Sequence, residues 1–184
     1  KKYIKIMIGI NKINFSNKNI LIVGVTGSFG NQFLKNIIKN KIKFNRISIL
    51  SRDEKKQYDM REKFDSANIK FHIGDIRDLN SLKFFFKKYA INYVYHAAAY
   101  KHVPLVEDTN NITKATENNV IGTFNLAQTS IENNVESFLM ISTDKAVRPS
   151  NIMGASKRMA EMIVQSLNEQ NSNTKLSMVR FGNV

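Results

Sequence analysis

The run Ile20-Leu21-Ile22-Val23 passes without a break into Gly24-Val25-Thr26-Gly27-Ser28-Phe29-Gly30, after which Phe33, Leu34, Ile37 and Ile38 recur at helical spacing. A short, continuous, branched apolar run suits a strand buried on both faces of a parallel sheet. Glycines three apart between such a strand and a helix allow, in order, a tight turn, close approach of a ligand to the backbone, and dense packing of helix on strand. The helix N-terminus then offers N–H groups and the positive end of its dipole to a pyrophosphate. Gly24, Thr26, Gly27, Ser28, Phe29 and Gly30 are therefore the expected phosphate-binding turn of a dinucleotide site. The Lys-Ser/Thr ending of a nucleoside triphosphate loop is missing.

The strand-helix alternation continues along the chain. Strands are expected at Arg46 to Leu50, Ile69 to Ile73, Tyr93 to His96, Phe138 to Ile141 and Leu176 to Phe181. Helices are expected at Glu54 to Phe64, Leu79 to Tyr89, Lys114 to Asn133 and Ile152 to Asn168, the third with Val120, Phe124, Leu126 and Ala127 facing inward. This order implies an α/β fold with a doubly wound parallel sheet, whose ligands sit in the crevice at the carboxyl ends of the strands. With two Pro and eight Gly there is no linker-like stretch, so residues 19–184 read as one dinucleotide-binding domain and residues 1–18 as an extension or linker. The chain begins at Lys1 rather than Met and stops at Val184 directly after a strand, so both ends are expected to be cuts, with a C-terminal substrate region beyond.

Several residues fall in the expected crevice. At the end of the second strand, Ser51 and Arg52, with Lys56 one turn on, suit a ribose 2'-phosphate and favour NADP, while Asp53 keeps NAD open. Asp75 and Ile76 follow the third strand, where a carboxylate would lie beside the adenine; an ordinary strand-end turn explains them equally well. Ala97 and Ala98 are small enough for a cofactor to pass, or for plain packing. Ser142-Thr143-Asp144-Lys145 puts a carboxylate and an amine side by side at a strand end, as an acid-base pair or as a surface ion pair. Met153 and Lys157 share one helix face, and Lys157 suits a cofactor ribose and lowers the pKa of nearby hydroxyls.

Composition narrows the chemistry. There is no Cys, which excludes disulfides, thiolate metal sites and a Cys nucleophile and suits a reducing cytoplasm. His72, His96 and His102 lack metal-ligand spacing, so no metal is expected. Twenty-eight Lys and Arg against fifteen Asp and Glu give a net charge of +13. Such a balance attracts anions, whether nucleic acid, acidic lipid or a phosphorylated small molecule; the basic residues read as scattered, a solvated surface that helps anionic ligands arrive, and no nucleic-acid partner is expected. No apolar run reaches the ~20 residues of a membrane span, and KKYIKIMIGI lacks the marks of a signal peptide.

The glycine turn, the Ser-Thr-Asp-Lys cluster and Lys157 together resemble the extended short-chain dehydrogenase/reductases. Within them SRDEKKQYDMR, GDIRD, HAAAYKHVPLVE, STDKAVRPSNIMGASKRMAE and RFGNV are similar to bacterial UDP-N-acetylglucosamine 4,6-dehydratases of surface-glycan synthesis, from Asn19 to Val184. The resemblance implies a redox-neutral reaction on a UDP-sugar with NADP. Hydride leaves carbon 4, the new ketone acidifies carbon 5, water is lost from carbon 6, and the hydride returns to carbon 6.

By position, Lys145 resembles the base at carbon 5, Asp144 the acid that protonates the leaving hydroxyl, and Thr143 the hydroxyl that holds the reacting sugar oxygen. Lys101 and Asn183 match substrate-contacting positions, and Asn119 one that supports the active site. Met153 stands where most short-chain dehydrogenases carry Tyr; a branch of these dehydratases also has Met there. That leaves Asp144, Thr143 with Lys157, or a water as the base at the carbon 4 hydroxyl. The Ser51 to Glu54 segment resembles soluble enzymes that invert carbon 5, whereas Tyr100 to Pro104 and the Met153 stretch also resemble larger membrane-anchored members, some of which retain it. The family implies a homo-oligomer. An NADP-dependent epimerase or reductase of the same fold, and a dinucleotide-binding module without turnover, stand as alternatives.

Overall fold

The computed structural model describes residues 14–25 and 27–182; most of the expected N-terminal extension, Thr26, the side chain of Ser28, and Asn183 lie outside the described residues. Six strands form one fully parallel sheet: β1 (Asn19–Val23), β2 (Arg46–Ser51), β3 (Ile69–Ile73), β4 (Tyr93–His96), β5 (Ser137–Thr143) and β6 (Lys175–Phe181). Their order across the sheet is β3-β2-β1-β4-β5-β6, so the chain reverses direction between β1 and β4. That reversal opens the crevice in which ligands of such sheets bind.

Alternate strand residues feed two cores. Ile20, Ile22, Ile47, Ile49 and Ile69 pack under α1 (Ser28–Lys39) and α2 (Glu54–Lys63), meeting Phe33, Leu34, Ile37 and Met60. Leu21, Val23, Val94, Phe138 and Met140 face the other way, onto Leu82, Phe85 and Phe86 of α3 (Leu79–Tyr89) and the helices after β4. Both faces of the central strands are buried, which is why they read as unbroken apolar runs. Two N-caps fix helix starts: Asp53 accepts from Lys56 N and Asp78 from Ser81 N.

After β4 come α4 (Val103–Val106) and α5 (Ile112–Thr116), a π turn (Glu117–Ile121), and α6 (Gly122–Glu132). The expected single helix from Lys114 to Asn133 is thus one helical stretch interrupted by a π turn. Val120, Leu126 and Ala127 are buried as expected, but Phe124 is 42% exposed. Phe124 and Leu126 lie two residues apart in α6, about 200° round the helix, so with Leu126 and Ala127 turned inward Phe124 faces out. The 3-10 turn Asp144–Ala146 comes after β5, and α7 (Ile152–Gln170) returns to β6.

An ionic cluster around one buried carboxylate joins α7 to β5 and β6. Glu161, whose side chain is 1% exposed, accepts from Ser142 Oγ (2.7 Å), Arg158 Nη1 (3.1 Å), and Arg180 Nε and Nη2 (2.8 and 2.6 Å). Burial alone would push its pKa up, but the bonds from Arg180, Ser142 and Arg158 outweigh it and bring the carboxyl to about 2. A carboxyl lowered in the folded state adds stability above its unfolded pKa near 4.5 and loses it as pH falls toward 2. Urea denaturation across this range is expected to show an acid-side loss of about 3 kcal/mol from this group. Glu161→Gln is expected to remove that dependence and to cost about 3 kcal/mol at pH 7, because Arg180 then lacks its buried partner. An unchanged pH profile in the variant would contradict the assignment.

Candidate active site

Three glycines set the crevice. Gly24 has φ +77°, a conformation that a side chain strains, and a Cβ there would overlap the backbone of Ala98. A Cβ on Gly30 would overlap the backbone of Val25, so α1 packs directly on the end of β1. Gly27 differs: among the described residues nothing beyond its chain neighbours lies within 4 Å of where its Cβ would be, and it begins α1 with no side-chain cap bond. Among the described residues no side chain caps the start of α1, and the free N–H groups of a helix start are what a pyrophosphate binds. Phe29, half-buried, packs on Phe33 (5.8 Å) and reaches toward Phe181 on β6 (6.2 Å).

The carboxyl ends of β2 and β3 carry the residues expected there, and Arg52 and Asp75 meet across the two strand ends. Ser51 Oγ accepts from Asp53 N (3.2 Å), and Lys56 Nζ is ion-paired with Asp53 (2.9 Å), so Lys56 has a partner of its own. Arg52 lies 3.7 Å from Asp75 and its guanidinium stands 4.9 Å over the ring of Tyr100. Asp75 is held by Arg77 through Nε (3.1 and 3.0 Å) and Nη2 (2.6 Å). Ile76 is buried and packs against Gly122, where a Cβ would collide with it. Gln57, not expected to matter, bridges the carbonyls of Ser51 (2.8 Å) and His72 (3.0 Å). Tyr100, Arg77 and Gln57 thus join the site expected from Ser51, Arg52, Asp53, Lys56, Asp75 and Ile76.

The end of β5 carries the polar cluster. Thr143 Oγ1 donates to Asp144 Oδ1 (3.0 Å) and accepts from Lys145 N (3.3 Å), capping the 3-10 turn, while Lys145 Nζ lies 3.8 Å from Asp144 Oδ1. Asp144 and Lys145 keep 55% and 39% of their side chains exposed, so both are open to a ligand. A Cβ on Gly182 would lie 3.8 Å from Asp144 Oδ2, which brings the end of β6 beside the same cluster. Gly154, in the first turn of α7, leaves room for the carbonyl of Lys145, and Asn151 caps that helix by accepting from Gly154 N (2.7 Å). The Lys145 backbone is therefore wedged against α7.

Lys157 is 4% exposed and donates from Nζ to the carbonyl of Ile141 (2.9 Å). Burial pushes its ammonium pKa down to about 8, with Glu161 opposing. Met153 is buried with Val106 and Ala115 in a small apolar cluster, a packing place with no proton to transfer. Asn119 in the π turn accepts from Tyr100 N (2.9 Å) and donates to Tyr100 O (3.1 Å) and Ser156 Oγ (3.0 Å), clamping the segment after β4 to α7. Thr123 Oγ1 donates to Asn119 O (2.7 Å), so its contact with His96 Nε2 (2.8 Å) assigns the ring proton to Nε2. Burial, helped by Lys157, brings the His96 pKa to about 3, so this ring stays neutral beneath the lysine. Ala97 and Ala98 line the approach at Gly24, and Lys101 is exposed. Of the residues missed, Glu161 carried a signal: it shares the buried stripe of Lys157 and Val164, where a carboxylate needs a partner.

Known proteins match this arrangement. The family model described as polysaccharide biosynthesis protein matches residues 20–184. The UDP-N-acetylglucosamine 4,6-dehydratase (inverting) of Campylobacter jejuni is 40% identical over 172 residues, covering 92% of this chain and 50% of that protein. A UDP-glucose 4-epimerase of Rickettsia rickettsii is 43% identical over 176 residues, with the same coverage of both chains. The X-ray structure of Pen from Bacillus thuringiensis superposes with a TM-score of 0.85 at 35% identity, over 94% of this chain and 52% of that one. The chain thus spans about half the length of these relatives. It belongs to the polysaccharide biosynthesis protein family of extended short-chain dehydrogenase/reductases.

Proposed function

We propose that this chain is the dinucleotide-binding half of an NADP-dependent 4,6-dehydratase acting on a UDP-N-acetylhexosamine, with UDP-N-acetylglucosamine as substrate. One observation carries the reading: exposed Asp144 stands with the half-buried Thr143 and Lys145 at the carboxyl end of β5, the same end of the sheet at which the glycine turn follows β1. A simple 4-epimerase has no need of an adjacent carboxylate and amine for elimination. The dehydratase name of the Campylobacter jejuni relative agrees, while the epimerase name of the Rickettsia rickettsii relative supplies the competing reading.

The open space at Gly27 and the uncapped start of α1 fit a dinucleotide pyrophosphate, with Gly24, Gly27, Phe29 and Gly30 around it. Arg52 and Ser51 would hold a 2'-phosphate; NAD is the alternative. When bound, the nicotinamide would supply reversible hydride acceptance. Within the crevice Thr143 holds a sugar oxygen, Lys145 removes the carbon 5 proton, and Asp144 protonates the leaving carbon 6 hydroxyl. Lys157, whose buried ammonium bonds a neutral carbonyl, lowers the pKa of hydroxyls near it. Met153 keeps that side of the crevice apolar. Lys101 and Asn183 bind substrate, and the complete enzyme is a cytoplasmic homo-oligomer. The two packed helices α6 and α7 support the last point, because they expose Phe124, Met159 and Met162.

Mass spectrometry of UDP-N-acetylglucosamine incubated with this chain, and with one extended by the other half of the relatives, tests the function. Loss of water from the sugar nucleotide is expected with the extended chain. An isomer without mass loss would favour the epimerase, and no reaction from the extended chain would sink both readings. In the extended chain, Lys145→Ala is expected to lower elimination by a hundredfold or more, in line with the loss of a general base. NADP binding should change less than twofold; a parallel loss of cofactor affinity would make Lys145 structural. Arg52→Ala is expected to weaken NADP binding about tenfold or more and leave NAD nearly unaffected, since only NADP offers the phosphate. Equal weakening of both cofactors in a fluorescence titration would remove Arg52 from the 2'-phosphate site.

A further inference from the structure

We propose that the pole of the domain opposite the crevice, at the amino ends of the strands, docks on an anionic phospholipid surface. Charge is unevenly placed along the chain. Residues 1–52 hold eleven Lys and Arg and no Asp or Glu, whereas residues 53–184 hold seventeen and fifteen. The net charge of +13 is therefore mainly a property of the first 52 residues, and the scattered distribution expected from composition is corrected.

The fold turns much of this stretch toward one end. Helix α1 runs back along the parallel sheet, so its last turn and the loop into β2 lie at the amino ends of the strands. Lys35, Lys39, Lys41 and Lys43 are exposed along this path, and among the described residues none of the four is in an ion pair. Helices α2 and α3 finish at the same pole with Arg61, Lys63, Lys87 and Lys88. The acidic groups facing them are few. Glu136 is bound to Lys18 and Glu132 to Lys83, while Glu62 and Asp65 sit close in sequence to Lys63 and Lys70, and Glu169 belongs to the end of α7.

Basic residues in a last helical turn complement the helix dipole, which accounts for Lys39, Arg61, Lys63, Lys87 and Lys88. It does not account for Lys35, one turn earlier, nor for Lys41 and Lys43 in the loop. Beside Lys43 a cavity of about 400 Å³ is lined by Ser16, Asn17, Ser66 and Asn68, whose hydroxyls and amides can bond phosphodiester oxygens. Ile38, 47% exposed between Lys35 and Lys39, adds an apolar side chain that a lipid interface would cover. Ile42 and Phe44 also line the cavity, Phe44 half-buried, so the side chain that stands out to solvent is the aliphatic Ile38, which favours a lipid interface over the stacked bases of single-stranded nucleic acid. Docked in this way, the domain keeps its crevice turned away from the surface and open to solvent.

Sedimentation with vesicles tests this at low salt. Binding is expected to vesicles of equal parts phosphatidylcholine and phosphatidylglycerol and not to phosphatidylcholine alone, with release at high salt. The double variant Lys41→Glu/Lys43→Glu is expected to lower the partition coefficient about 25-fold or more, since each basic residue near an anionic surface contributes about fivefold. Equal sedimentation with both vesicle types, an unchanged partition of the variant, or tighter retention of a single-stranded oligonucleotide than of vesicles would overturn the proposal. Dinucleotide binding by the variant, read separately, is expected to be unchanged, so failure here and failure of the crevice reading are distinct results.

Discussion

The close approach of Gly24 to the backbone of Ala98 is the contact on which the rest of the site depends. It lets β1 turn sharply at its carboxyl end while β4 runs beside it, at the point where strand order reverses. Gly30 against Val25 then brings α1 down onto the strand end, and Gly154 against Lys145 does the same for α7 on the far side of the crevice. Each of these places leaves no room for a Cβ, so the geometry is set by backbone touching backbone. Side chains at the rim, from Arg52 round to Lys145, inherit their positions from these contacts.

Electrostatics divides the crevice into two parts. On the β2 and β3 side, Arg52, Asp75, Arg77 and Tyr100 form a partly exposed chain of ion pairs and one cation-π contact. Such exposed pairs add little stability, which leaves them free to reorganise around an anion. On the β5 and β6 side, the charges of Glu161 and Arg180 are locked together beneath the exposed Asp144 and Lys145. Here only the carboxylate is buried, while Arg180 keeps 40% of its side chain exposed, so the cost of desolvation falls on Glu161 and its hydrogen bonds offset it. Ser142, bonded to Glu161, sits one residue before Thr143, so the rigid cluster reaches directly to the polar one.

Much of this fold was legible in the sequence because a central parallel strand must be apolar on both faces, and Ile20 to Val23 says so without ambiguity. The expected bounds of β3, α3 and β4 coincide with the observed ones. The π turn at Glu117–Ile121 was not legible, because a single extra residue in a helical turn leaves the hydrophobic pattern nearly intact; Phe124 was misplaced because it lies about 200° round the helix from buried Leu126. Asp144 and Lys145 were visible as neighbours in sequence, whereas Tyr100 over Arg52 and Arg180 on Glu161 are meetings between distant elements that no spacing encodes. Gly154 looked like an ordinary residue of a helix start until its neighbour, the carbonyl of Lys145, was seen.

Gly27 allows the most direct test of the central claim, that the glycine turn is a dinucleotide phosphate site. Among the described residues nothing beyond its chain neighbours stands within 4 Å of its missing Cβ, and its φ is −90°, a conformation that a side chain tolerates. Titration of NADPH fluorescence with the native chain and with Gly27→Asp, both checked for folding by circular dichroism, measures the difference. Saturable binding by the native chain and a loss of a hundredfold or more in the folded variant is the expected result, because the carboxylate would occupy and repel the phosphate position. Equal binding by the two chains would contradict the claim.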